Sequence, residues 1–273
     1  MSERADSVPR REFLSLAAVG GLALGASPSA AQIASQTTGA QPATTGASVP
    51  IQLESHEVDP ATGIPEKTFD RVGSDFMVDV VKQLGIDYVA ANCGSSFRSF
   101  QESITVYGNN SAPEFLTCLH EEASVAMAHG YSKIAGKPMA VLLHNTVGLQ
   151  HASMAIYNAF CDRAPVIAFS GNTLDATKRR GGAEWYHSDT DPAAMVRSFT
   201  KWDDQPMSLP HFMESTVRGH KIAMTPPMGP VVISVDKELQ ERASTKAKEP
   251  AIAKQQRFAL PAADSAAIDE VAD

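Results

Sequence analysis

Short apolar runs alternate with helix-like segments along the middle of the chain. Most of these runs are four or five residues long and are bounded by Gly, Pro or polar residues, which is typical of buried strands. The predicted strands cover residues 88–91, 115–119, 139–143, 166–169, 199–202 and 231–235. Apolar residues at helical spacing predict helices over residues 74–84, 97–106, 121–135, 149–160 and 213–224.

Continuous apolar strands separated by helices indicate a parallel sheet that is covered on both faces. The pattern therefore predicts an α/β fold of three layers, with a six-stranded, mostly parallel sheet and helices on both faces. Ser74 is in position to cap the first helix, and Gly136 is in position to end the third.

The N-terminal 31 residues differ from the rest of the chain. Arg10-Arg11 precedes a weakly hydrophobic, uncharged stretch over residues 14–26, and small residues stand just before Gln32. This order resembles a twin-arginine export signal, with residues 1–31 removed and the protein sent to the periplasm or beyond. The alternative is a disordered N-terminus that happens to contain two arginines.

The remaining chain divides by composition into three segments. Residues 32–67 are rich in small and polar residues and predict a flexible leader, whereas residues 68–243 carry the α/β pattern. Residues 244–273 predict a linker that leads into a further domain.

Composition excludes several classes of protein. Hydrophobic residues make up 43% of the chain, which is enough for a buried core, and the net charge of −8 without a basic stripe argues against a nucleic-acid partner. The three cysteines lack CxxC spacing, which argues against a disulfide framework and against a zinc site. No apolar run approaches the roughly 20 residues that cross a bilayer, which argues against a membrane-spanning helix. Fingerprints of the Rossmann, P-loop and α/β-hydrolase folds are absent from the sequence.

Ligands of parallel sheets bind beyond the carboxyl ends of the strands, so the loops after those ends hold the candidate residues. They contain Ser95, Glu121, His144 and the aromatic–histidine cluster around His187. Each has an ordinary alternative: a helix cap, a first-turn charge, a structural histidine and a loop anchor. No zinc-binding HExxH is present, because position 124 is Ser, and we predict no metal ligand.

Three short motifs occur in a fixed order: His-Glu-Glu-Ala at 120–123, Ala-His-Gly-Tyr at 128–131 and Gly-Lys-Pro at 136–138. Together they resemble the N-terminal pyrimidine-binding domain of the thiamine-diphosphate (TPP) enzymes, whose catalytic glutamate lies nine residues before a Gly-Tyr pair. The resemblance covers residues 69–236 and is greatest to the acetolactate synthase and benzoylformate decarboxylase branch.

The resemblance implies roles for individual residues. In that family the glutamate at the position of Glu121 hydrogen-bonds N1′ of the cofactor aminopyrimidine, and members carry an active-site histidine at the position of His144. The implied cofactor contacts are Asn92, Gly94, Glu121, Gly148 and Asn158. The implied contacts with a 2-oxo acid substrate are Ser95, His144 and His187.

The sequence also departs from the family. His151 stands where an asparagine is common, and the family's Gly-Asp-Gly motif, which holds Mg²⁺ and the diphosphate, is absent. The resemblance therefore implies a homodimer, a homotetramer or a separate subunit in which another domain supplies Mg²⁺. Two alternatives remain: a non-catalytic exported binding or assembly module with this fold, and an unrelated solute-binding protein.

Overall fold

The computed structural model describes residues 71–180, 182–252 and 262–272. The predicted signal and leader, residues 1–67, lie outside the described residues. The strands are β1 Tyr88–Ala91, β2 Glu114–Thr117, β3 Met139–Leu143, β4 Val166–Asn172, β5 Trp202–Asp204 and β6 Val231–Asp236. The helices are α1 Gly73–Gln83, α2 Arg98–Thr105, α3 Glu121–Ala135, α4 Val147–Cys161, α5 Ala183–His187, α6 Leu209–Met224, α7 Lys237–Glu241 and α8 Ser265–Ala272.

The six strands form one sheet in the order β2-β1-β3-β4-β6-β5. Every neighbouring pair is parallel, which confirms the predicted α/β class. All residues of β3 and β4 are buried, because helices cover both faces of the sheet. The sequence places the fifth strand too early, since Phe199 lies in a 3₁₀ turn and pairing begins at Trp202.

Two hydrophobic clusters fill the spaces on either side of the sheet. One cluster includes Phe76, Phe100 and Phe212, from α1, α2 and α6. The rings of Phe100 and Phe212 lie against Phe169 of β4. The other contains apolar residues of the strands together with small side chains of α3 and α4: Val125, Ala128, Ala152, Ala155 and Ala159. Small side chains let these two helices pack close to each other and to the sheet.

Helix α1 begins earlier than its sequence predicts. The residue at its N-terminal cap is Val72, not Ser74, because the Asp75 carboxylate accepts a hydrogen bond from the Val72 N–H at 3.1 Å. Ser74 is buried inside the helix, where its Oγ pairs with Ser103 Oγ at 2.7 Å. Gly136 ends α3 in the left-handed conformation, as predicted.

The C-terminal region contains the exposed helix α8. The sequence predicts that these residues begin a further domain, and that assignment stays a prediction. Across the described ranges, no helix combines the length and the apolar character needed to cross a membrane.

Burial of His220 in α6 makes stability depend on pH. Burial lowers the pKa of His220 to about 4, whereas an unfolded histidine titrates near 6.5. Above pH 6.5 the imidazole is neutral in both states, but between pH 6.5 and 4 only the unfolded chain takes up the proton. We therefore expect stability to fall across this window by up to about 3 kcal/mol.

Urea unfolding at several pH values measures this effect. The slope between pH 6.5 and 4 should be clearly shallower in the His220→Gln variant, and the remaining slope includes the contribution of His144, whose pKa is also lowered by burial. The matched control is Lys221→Gln on the same helix, whose side chain is exposed and whose loss should leave that slope in place. Equal slopes in the wild type and His220→Gln would contradict the prediction.

Candidate functional site

The candidate residues meet at the carboxyl edge of the sheet. Ser95 follows β1, Glu121 follows β2 as the first residue of α3, and His144 follows β3. Parallel strands direct all their carboxyl ends to the same edge, so residues far apart in the sequence become neighbours.

Glu121 is a buried carboxylate at this edge, with 4% of its surface exposed. It occupies the first turn of α3, where the helix dipole favours negative charge. His151 Nδ1, from the second turn of α4, lies 3.3 Å from Glu121 Oε2. The rings of His120 and His151 stack with their centroids 4.5 Å apart. Glu121 thus lies beside a stacked pair of histidines and contacts one of them, His151.

Gly148 lets the loop after β3 approach Glu121. A Cβ at this position would lie 3.2 Å from His144 Cβ and 3.3 Å from Glu121 Cγ, which is closer than ordinary packing. The Gly148 N–H also donates to the His144 carbonyl at 3.0 Å. A side chain at position 148 would therefore push the start of α4 away from His144 and Glu121.

His144 lies among two serines and a second histidine. Its Nε2 is 3.4 Å from Ser95 Oγ and its Nδ1 is 3.5 Å from Ser96 Oγ, both long hydrogen bonds. The His187 ring packs edge-on against it, with centroids 4.8 Å apart. Burial lowers the pKa of His144, and the nearby His187 acts in the same direction. The imidazole is therefore neutral at pH 7, with one nitrogen free to donate and one to accept.

Two further glycines allow the loop after β1 to reach His144. A Cβ at Gly94 would lie 2.7 Å from His144 Cδ2, and one at Gly171 would lie 2.4 Å from the Ser96 carbonyl oxygen. Ser96 itself is buried and accepts a hydrogen bond from the Asn145 N–H at 3.2 Å. The sequence motif around Gly94 is thus explained by close backbone approach.

A buried amide pair, missed by the sequence analysis, joins the ends of β3 and β4. Asn145 Nδ2 donates to Asn172 Oδ1 at 2.5 Å, and the Thr173 N–H donates to the same oxygen at 2.9 Å. Asn172 Nδ2 in turn donates to the Asp189 carbonyl at 2.8 Å. The apolar run that predicts this strand ends at Phe169, but in the structure β4 continues to Asn172.

The segment after β4 folds back over this edge. Arg179 donates to the carbonyls of Thr173 and Leu174, at 2.9 and 3.1 Å. Glu184 forms ion pairs with Arg180 at 2.7 Å and Lys237 at 3.1 Å. Arg179 and Arg180 therefore anchor the loop, whereas the sequence suggests a solvated basic face.

His187 is placed by this segment. Its carbonyl accepts a hydrogen bond from Thr146 Oγ1 at 3.0 Å. Its Nδ1 is buried and has no hydrogen-bond partner within the described part of the chain. A buried polar nitrogen without a partner is unfavourable, and here it lies beside His144 at the carboxyl edge.

The structure brings together most of the residues predicted for the site: Ser95, Glu121, His144, Gly94, Gly148 and His187. Asn92 directly follows β1 and is half-buried. Asn158 is exposed and lies seven residues beyond His151 on α4, about 10 Å along the helix. The cofactor contacts of Asn92 and Asn158 stay predictions.

Comparison with known proteins gives a consistent result. Residues 71–194 match the family described as "Thiamine pyrophosphate enzyme, N-terminal TPP binding domain". Acetolactate synthase of Bacillus subtilis is 22% identical over 61% of this chain and 28% of that protein. Benzoylformate decarboxylase of Pseudomonas aeruginosa is 24% identical over 58% of this chain and 28% of that protein. The chain thus spans little more than a quarter of these relatives.

Solved structures show the same fold. The thiamine diphosphate-dependent 4-hydroxybenzoylformate decarboxylase of Rhodococcus jostii RHA1 superposes with a TM-score of 0.63 at 20% identity, covering 74% of this chain and 36% of that one. A thiamin diphosphate-dependent enzyme from Mycobacterium smegmatis gives a TM-score of 0.56 at 24% identity, covering 67% and 34% of the two chains.

The Asn172 network gives a prediction about the edge of the sheet. Asn172→Ala should lower the free energy of unfolding by about 2–4 kcal/mol, because it leaves several buried groups without partners. Urea unfolding measures the loss. The control is Thr177→Ala, which removes an exposed hydrogen bond to Asp175 and should cost under about 1 kcal/mol. Similar losses in the two variants would contradict the prediction.

Proposed function

Since residues 71–194 match the N-terminal TPP binding domain of the thiamine pyrophosphate enzymes, we propose that this chain binds the aminopyrimidine of thiamine diphosphate in a 2-oxo acid decarboxylase or carboligase. The observation that carries the proposal is the buried carboxylate of Glu121 at the start of α3. It lies nine residues before Gly130-Tyr131, the spacing of the family's cofactor glutamate.

The residues around Glu121 fit a flat heteroaromatic ligand. Gly148 presents no side chain beside Glu121 Cγ, which leaves backbone at that point. Within the described residues, the Glu121 carboxylate accepts one side-chain hydrogen bond, from His151. The carboxylate can therefore form a further hydrogen bond with a ligand nitrogen.

Thiamine diphosphate, when bound, supplies a carbon nucleophile and an electron sink for decarboxylation of a 2-oxo acid. Glu121 is proposed to share a proton with N1′ of the aminopyrimidine. The low exposure of its carboxylate keeps water from competing for that hydrogen bond.

His144 and Ser95 are proposed to face the substrate. The neutral imidazole of His144 can donate a hydrogen bond to a substrate carboxylate or carbonyl without adding a charge. Ser95 is exposed and lies 3.4 Å from this imidazole, so its hydroxyl can orient the ring or contact the substrate directly. The unpartnered Nδ1 of His187 gives a third polar group on the same side.

We propose that catalysis needs a diphosphate-binding domain in addition to residues 71–243. The sequence contains no Gly-Asp-Gly motif, and the described residues provide no cluster of oxygen ligands of the kind that Mg²⁺ prefers. Mg²⁺ would therefore come with that domain, in the same protein or in another subunit.

An exposed apolar surface on α3 and α4 is the proposed contact for that partner or for a second copy. Met127 and Ile134 are seven residues apart on α3, and Met154 and Tyr157 are three residues apart on α4. Their exposed fractions reach 92% at Ile134, which is unusual for large apolar side chains grouped on one surface.

Export by the twin-arginine pathway stays a prediction from residues 1–31. It is compatible with this proposal, since that pathway moves folded proteins, often with a cofactor in place.

Glu121→Gln tests the proposed function. The DNA after codon 273 is first read for a segment that encodes Gly-Asp-Gly, and that domain is produced together with the full chain. We expect CO₂ release from pyruvate or benzoylformate, and a loss of about 10²-fold or more in Glu121→Gln, because the amide cannot exchange a proton with N1′.

Glu122→Gln is the matched control, since this neighbouring carboxylate is exposed and should tolerate the change. Near-normal turnover in Glu121→Gln would overturn the assignment. Absence of turnover in the wild-type assembly would instead favour a non-catalytic binding module with the same fold.

Ile134→Lys tests the proposed contact surface. We expect the full chain to self-associate or to bind the diphosphate domain, and the charge to weaken that association at least about tenfold, or 1.4 kcal/mol. Sedimentation equilibrium measures it. Met207→Lys is the control, because Met207 is 68% exposed in the β5–α6 connection, away from α3 and α4. Equal effects of the two variants would contradict the prediction.

A further inference from the structure

The three side chains around the start of α3 form a group with metal-binding chemistry. His120, Glu121 and His151 each offer one ligand atom, and these atoms lie within 4.8 Å of one another. Across the described part of the chain, no other group of three or more histidine, cysteine or acidic side chains is arranged so that it could hold a metal ion. No metal site is predicted from the sequence, because these residues do not form a known metal-binding motif.

The fold, and not local sequence, assembles this group. His120 and Glu121 come from the start of α3, whereas His151 comes from the second turn of α4, thirty residues later. The two helices pack side by side in one layer, and their small side chains set the distance between them. The ligand atoms are therefore held by two packed helices, which limits how far they can separate.

We propose that His120, Glu121 and His151 form a binding site for a divalent transition metal of the Zn²⁺ class. Two imidazoles with one carboxylate are a donor set that suits Zn²⁺, Co²⁺ or Ni²⁺, whereas Mg²⁺ and Ca²⁺ prefer oxygen ligands alone. Water would occupy the remaining coordination position.

Small side-chain movements bring the donors to coordination distance. Ligand atoms around tetrahedral Zn²⁺ are about 3.4 Å apart, and His151 Nδ1 already lies 3.3 Å from Glu121 Oε2. The His151 side chain is 55% exposed and free to adjust. His120 Nδ1 accepts a hydrogen bond from the Glu122 N–H at 3.2 Å, and metal binding would exchange that cap bond for the metal.

The metal and the cofactor would compete for one carboxylate. Glu121 cannot both coordinate a cation and share a proton with an aminopyrimidine, so the two ligands exclude each other. The metal site does not depend on the proposed enzymatic function, because its three ligands all belong to this chain.

Metal uptake by the full, untagged chain tests the proposal. After chelator treatment, the chain is titrated with Zn²⁺ by calorimetry and with Co²⁺ by visible absorption, which reports nitrogen and oxygen ligands directly. We expect one equivalent of each metal to bind the wild type. His151→Asn and Glu121→Gln should each weaken that binding at least tenfold and remove the Co²⁺ bands.

His129→Asn is the matched control. His129 also pairs with an acidic side chain, Asp162 at 2.9 Å, but lies outside the group, so its loss should leave the metal affinity unchanged. Circular dichroism and thermal melting show that each variant is folded. Zn²⁺ binding that is equally strong in the His120→Asn/His151→Asn double variant, or no binding by the wild type, would overturn the proposal. Neither result bears on the turnover measured with Glu121→Gln and the diphosphate domain.

Discussion

Close backbone approach at the carboxyl edge of the sheet is the constraint on which the site depends. Three loops meet there, and glycine stands at the points where they touch. A side chain at Gly94, Gly148 or Gly171 would meet a histidine ring, a carboxylate stem or a carbonyl oxygen at 3.3 Å or less. A Cβ at Gly171 would clash with the backbone of Ser96, whereas a Cβ at Gly94 or Gly148 would press on the side chains of His144 and Glu121. Each addition would therefore displace part of the site.

Polar contacts complete what the glycines allow. Asn145 and Asn172 connect the ends of two central strands, and Asn172 also holds the long segment that returns toward the site. Gln240 of α7 plays a similar part, because its amide donates to the carbonyls of Ser96 and Val235 at 2.9 and 3.2 Å. Hydrogen bonds of this kind fix the loops more strictly than apolar packing, because each unsatisfied buried group costs free energy.

The two sides of the sheet differ in the size of the side chains that pack between the strands and the helices. Buried aromatic and aliphatic side chains fill the space between the sheet and helices α1, α2 and α6. Small side chains under α3 and α4 bring the helices close together, and large apolar side chains on their outer surface remain exposed. The same close packing that places His151 against Glu121 thus also forms the surface proposed to meet a partner.

The sequence by itself determined the fold class, most element positions and the approximate location of the site. Apolar runs give strands because a strand buried on both faces has no polar side to display, and the loops after such strands converge whatever their composition. Where prediction failed, a tertiary contact was the reason. α1 begins at an earlier residue because Asp75 accepts a hydrogen bond from the Val72 N–H. β4 extends beyond its apolar run to Asn172, which accepts a hydrogen bond from Asn145. Arg179 binds backbone carbonyls and Arg180 binds a carboxylate, so neither forms a solvated basic face.

The tertiary structure alone decided which side chains share a site. Glu121 and His144 were predicted together through a family resemblance, but His151 was visible only as an unusual residue on a helix. Its contact with Glu121 requires the packing of α3 against α4. That distance is set by many small side chains acting together, and a one-dimensional pattern of apolar and polar positions does not contain it.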